Sequence, residues 1–158
     1  MKKLIASVLA FSLLATLSTT AFAAEINQDS DPKTAAAQVS TNIAPTYTVT
    51  IPESVEVDFN ATETEFGSIK IEQAQIAPDK QIVVSVAAGE ALVNQEDNTK
   101  TLPYTIEDEN GEFTSAAYLS EEDKTDLTIS ITEDDWNSAY AGDYRDTVTF
   151  TVSYVDKA

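Results

Sequence analysis

Thr147-Val148-Thr149-Phe150-Thr151-Val152-Ser153-Tyr154 sets Val148, Phe150, Val152 and Tyr154 at every second position, with hydroxyl side chains between them. Side chains leave a strand alternately on opposite faces, so this run predicts a strand with one apolar and one hydroxyl-bearing face. The same period recurs toward the N-terminus. Leu127, Ile129 and Ile131 alternate with Thr128, Ser130 and Thr132; Ile82, Val84 and Val86 form another run; Ile69 and Ile71 alternate with Lys70 and Glu72 after Phe66-Gly67. Tyr47, Val49 and Ile51 alternate with threonines until Pro52, and Val55, Val57 and Phe59 alternate with Glu56 and Asp58. Leu102, Tyr104 and Ile106 are expected to pair with Phe113, Ala117 and Leu119 across Asn110-Gly111, a dipeptide suited to positive φ in a hairpin turn. Helical periodicity is hard to find. Seven to eight short antiparallel strands at this spacing predict an all-β domain over residues 46–158, a β-sandwich with a barrel as the alternative.

The N-terminus has a different character. Lys2 and Lys3 precede an apolar run from Leu4 to Leu17, and Ala21-Phe22-Ala23 has the small-x-small pattern of a cleavage site. Residues 1–23 therefore read as a secretory signal peptide of bacterial type, since the apolar run is shorter than the roughly 20 residues that span a bilayer. No membrane insertion of the mature chain is expected. Residues 24–45, rich in Ala, Ser, Thr, Asn and Gln, read as a flexible lead-in or, in Gln38–Ile43, as a first strand carrying Val39 and Ile43 on one face. That strand makes Val39 and Ile43 candidates for strand exchange with a neighbouring molecule.

The composition excludes much chemistry. Among 158 residues there are 9 Lys+Arg against 27 Asp+Glu, with no His and no Cys, for a net charge of −18. Ser-His-Asp and Cys-His nucleophiles, His or Cys metal sites and disulfides are impossible. Nucleic acid is not an expected partner, because phosphate binding needs clustered Lys and Arg. Three acidic turns, Glu107–Glu112, Glu121–Asp123 and Glu133–Asp135, invite a hard cation. However, aligning Gly111 with the glycine of an EF-hand loop leaves Ile106 and Ala117 at the first and last ligand positions, so solvated turns are the expectation. Paired carboxylates serve glycoside hydrolysis only when one is desolvated, and these acids fall in turns or at polar strand positions. No enzymatic activity, catalytic residue, metal or other cofactor is expected. The candidate ligand surface is aromatic: Trp136, Tyr140 and Tyr144 surround the loop before the last strand, where flat rings suit either packing or stacking on a sugar.

Ala141-Gly142-Asp143-Tyr144-Arg145-Asp146 followed by the alternating run to Tyr154 resembles the last strand of bacterial secreted surface proteins, among them fimbrial subunits, spore-coat-U-like domains and WxL-type surface domains. Gly142 and Tyr154 keep the fimbrial interval of twelve residues, and Tyr47-Thr48-Val49-Thr50-Ile51-Pro52 looks like the opening strand of such domains. The fimbrial cysteine pair and the Trp-x-Leu motif are absent. The resemblance implies an immunoglobulin-like β-sandwich without catalysis, secreted or held at the cell surface. It further implies a structural or adhesive role, with partners that are copies of itself, other surface proteins, or glycans.

Overall fold

The structure, a computed structural model, describes residues 25–31, 33–89 and 91–157. The predicted signal peptide, residues 1–23, lies outside them. The chain divides between Asn42 and Ile43. In the first part the described residues hold neither helix nor strand, and Val39 is 96% exposed; a turn forms where the Asn27 N–H donates to the Ser30 hydroxyl at 3.0 Å.

The described residues from Ile43 onward are all-β and antiparallel apart from one short helix. The strands are β1 (Thr46–Thr50), β2 (Glu63–Gln75), β3 (Lys80–Ala87), β4 (Ala91–Asn94), β5 (Thr101–Pro103), β6 (Thr105–Asp108), β7 (Gly111–Glu112), β8 (Ser115–Tyr118) and β9 (Lys124–Ser130). Helix α1 (Glu133–Ser138) follows, then β10 (Tyr144–Arg145) and β11 (Thr149–Asp156). Three sheets result, in the orders β1-β2-β9-β6-β7, β11-β3-β8 and β10-β4-β5. No helix among the described residues is long and apolar enough to cross a membrane.

The long strand β2 shows how the sequence is reconciled with a single dry face. Its core residues are Phe66, Ile69 and Ile71, with Ala74 and Ile76 packed against the same core, which is not a period of two throughout. The pairing with β9 slips between Glu65 and Gly67, and the pairing with β1 slips where Thr48 faces Gln73 but Val49 faces Ile71. Each slip absorbs one residue and returns the next apolar side chain to the inside, as β-bulges do. Gly67 takes the positive φ (+116°) of the first bulge, and a Cβ there would lie 3.4 Å from Pro52 Cβ.

One cluster collects the buried side chains of all three sheets. Ile69, Ile71, Ile106, Leu127 and Ile129 come from the five-stranded sheet, Ile82, Val84 and Tyr118 from β3 and β8, and Leu102 from β5. At about 1.5–3 kcal/mol for each large apolar side chain removed from water, this cluster supplies stabilisation in a chain that has no cysteine for a disulfide.

Three strand readings differ from the sequence expectation. The structure has eleven strands among the described residues rather than seven or eight, because the short strands β4, β7 and β10 are added and β5 and β6 are separate, while Val55–Phe59 is lost. Val55–Phe59 forms no strand. Val57 does pack on the core, but alternation supplies a dry face and not a hydrogen-bonding neighbour; the segment ends in a turn where the Ala61 N–H donates to Asp58 O at 3.0 Å. The hairpin at Asn110-Gly111 exists, with Gly111 at φ +117°, yet its ladder holds only Glu107 opposite Glu112 and Asp108 opposite Gly111. Beyond it the strands part: Leu102 pairs with Leu92 and Ala117 with Val83.

A candidate aromatic recess

Helix α1 sets the position of Trp136. Thr132 caps it by accepting from the Asp135 N–H at 3.1 Å, and Glu133, Asp134 and Asp135 place negative charge in the first turn, where the helix dipole favours it. The indole Nε1–H donates to Ala61 O at 2.8 Å, which fixes the ring plane. Against it stands Phe59, edge to face at 5.6 Å between centroids and 80° between planes, and itself 81% exposed.

The second wall comes from the stretch after the helix. Gly142 adopts φ +145°, and a Cβ there would fall 2.4 Å from Asn94 Nδ2, so this close approach belongs to glycine alone. Asn94 is buried, and its Oδ1 accepts from the N–H groups of Glu96 (2.9 Å) and Asp97 (3.0 Å), while Nδ2 donates to Ala141 O at 3.4 Å. In the ladder Tyr144 stands opposite Asn94, and its hydroxyl donates to Tyr140 O at 2.9 Å. Phe59, Trp136 and Tyr144 thus line one recess of about 710 Å³, together with Val55, Val57 and the polar side chains of Asp143, Arg145 and Asp146.

The structure therefore brings Trp136 and Tyr144 into one recess. Tyr140 is not part of that lining; it is 62% exposed and carries Lys100 Nζ 4.4 Å above its ring. Val39 and Ile43 are both exposed and form no strand. Phe59, Asn94 and Asp146 enter from the structure; the alternation through Phe59 marks it as apolar, but only the turn at Asn60 (φ +62°) brings it to Trp136.

A smaller recess of about 320 Å³ lies between residues 51–57 and Thr147–Phe150, with Phe66 and Ile129 in its lining. Asp146 borders both recesses. Its Oδ2 accepts from the Tyr104 hydroxyl at 2.6 Å and from the Gly89 N–H at 2.7 Å. Burial first, then the hydrogen bond to and charge of Asp146, push the Tyr104 hydroxyl well above the ordinary tyrosine range.

Acids elsewhere hold turns. Asp123 accepts from the N–H groups of Leu119 (2.7 Å) and Ser120 (3.0 Å), and the Leu119 bond leads in drawing its carboxyl below the usual range. Asp97 is lowered mainly by the Thr99 hydroxyl and then by the Thr99 N–H, and Asp126 mainly by Lys124 and then by Ser68. Among the described residues no three carboxylates gather into a cation-sized cluster. The recess thus offers aromatic faces and hydrogen-bonding groups, the means to bind a ligand. Compared with protein-family models and with curated proteins, the sequence matches none.

Proposed function

We propose that this chain is a non-catalytic secreted bacterial surface or matrix protein, an immunoglobulin-like β-sandwich with a structural or adhesive role. The observation that supports it most is the use of its acids. Among the described residues the carboxyls of Asp97, Asp123 and Asp126 are drawn downward by turn and strand contacts, the opposite of a general acid's desolvation. Three antiparallel sheets sharing one core are consistent with a sandwich in which the five-stranded sheet covers the other two. The test is expression of the full chain in a secreting bacterium, with N-terminal sequencing and cell-surface labelling. Export beginning at Ala24 or Glu25 agrees with the reading; a chain retained inside the cell with Met1 intact overturns it.

A carbohydrate-binding role is the second reading, favoured by the Phe59–Trp136 pair and Tyr144 around one recess with a polar rim. Sugar rings stack on such faces while Asp143, Arg145 and Asp146 meet their hydroxyls. Titration of wall and host glycans against Trp136 fluorescence tests it. A flat response across the panel, or an undiminished one in Phe59→Ala, removes it.

A further inference from the structure

The unpaired edge of an end strand templates pairing with another chain unless the strand is short, bulged or charged. Five end strands here are blunted: β1, five residues long, by Pro45 and Pro52 on either side, β5 by Pro103, β7 and β10 by having two residues each, and β8 by having four. Strand β11 is not. It pairs with β3 over eight consecutive residues without a register shift, and nothing pairs with its other edge among the described residues. From Thr149 to Val155 it has no charged residue and no proline; Asp156, which ends it, is paired with Lys80 of β3.

The smaller recess lies at the N-terminal end of β11, where Val148 and Phe150 line it together with Val55, Phe66 and Ile129. At the other end of the strand, the Tyr154 ring packs against Tyr47, tilted by 34° with 5.8 Å between centroids. The charged residues of the recess are Glu53 and Asp146, both acidic, in a chain of net charge −18. Oδ2 of Asp146 already accepts two hydrogen bonds, and among the described residues no donor reaches Oδ1.

We propose that the edge of β11 accepts an extended segment of a partner protein that alternates apolar and basic residues. Its backbone adds a strand, its apolar side chains enter the recess, and its cations meet Glu53 and Asp146. Main-chain pairing gives such complexes their affinity and side-chain pockets their selectivity. This names a partner for the adhesive role proposed above and rests on that reading only for where the partner is met. A second copy fits poorly, because two acidic chains repel at low salt and the uncharged stretch Thr34–Pro52 brings no cation to Glu53 or Asp146.

The test uses residues 24–158 and a blocked hexapeptide alternating valine and lysine, at low salt, with amide exchange followed by NMR. Alternate amides of Thr147–Val155 should exchange about tenfold more slowly with the peptide bound. Peptides with glutamate for lysine, or with a central proline, should leave exchange unchanged. Asp146→Asn keeps an acceptor for Tyr104 and Gly89 while removing the charge, and should weaken binding about tenfold; Glu53→Gln, at an exposed position, should weaken it less. The proposal is overturned by slowing confined to another strand, by an equal response to the glutamate peptide, or by no response at millimolar peptide. A dimer whose β11 amides are protected without peptide also overturns it. Failure of export leaves these peptide measurements untouched, and failure of the peptides leaves export untouched, so the two readings fall separately.

Discussion

Replacing Asn94 by alanine should destabilise the domain by about 2 kcal/mol. The side chain is buried, and it holds the N–H groups of Glu96 and Asp97 at 2.9 and 3.0 Å while reaching Ala141 O at 3.4 Å. An intramolecular hydrogen bond contributes about 1 kcal/mol, so the two short bonds set the figure and the long one adds little. For a domain of this size that corresponds to a fall in Tm of about 8 °C. Asn94→Asp keeps the acceptor but turns an oxygen toward Ala141 O, and it buries a charge. At pH 7 it should therefore cost at least as much as the alanine variant. Its folded-state pKa would be raised, so its stability should recover as pH falls through that value and the protonated carboxyl donates to Ala141 O again. Urea unfolding followed by Trp136 emission measures both. An Asn94→Ala protein within about 0.5 kcal/mol of the parent, or an aspartate variant as stable as the parent at neutral pH, would refute the reasoning.

Three further changes probe separate parts of the structure. Ile69→Ala removes a fully buried side chain between the two bulges of β2 and should cost about 2–5 kcal/mol in urea unfolding. Asp123 has a depressed folded pKa, so the stability it contributes is fully present above its unfolded value near 3.9 and is lost as pH falls through the folded value. Asp123→Asn should accordingly flatten the fall in stability below about pH 5, read from Tm against pH. Thr132→Ala removes the cap of α1 and should cost about 1 kcal/mol, with a red shift of Trp136 emission as the indole loosens from Ala61.

Most of the all-β architecture was legible because a period of two is written directly into β1, β3, β9 and β11. Where reading failed, the missing information was the identity of the neighbour. Val55–Phe59 alternates as cleanly as β1 but has no partner strand, whereas Tyr144–Arg145 shows no pattern and is a strand because Val93 and Asn94 lie opposite. Helix α1 was hidden for another reason: six residues are too short for a 3.6-residue period to register. Its signal was local, Thr132 followed three residues later by Asp135, each bonded to the other.

The same distinction explains the aromatic recess. Composition and spacing singled out Trp136 and Tyr144, but the floor they share depends on contacts between distant segments: Ala61 O on the indole, Phe59 on its face, and Asn94 beneath Gly142. Each contact is made by backbone or by a residue that looks ordinary in sequence. Asp146 is the strongest case. It reads as one acid among 27, yet it holds Tyr104 and Gly89 and borders both recesses. In a chain this acidic, charge alone cannot mark a functional carboxylate; the role proposed for Asp146 rests on its place in the lining of two recesses. If Asp146→Asn lowers affinity for the basic strand while leaving Tm unchanged, the carboxylate's charge belongs to recognition; if Tm falls and affinity holds, it belongs to the link between Tyr104 and Gly89.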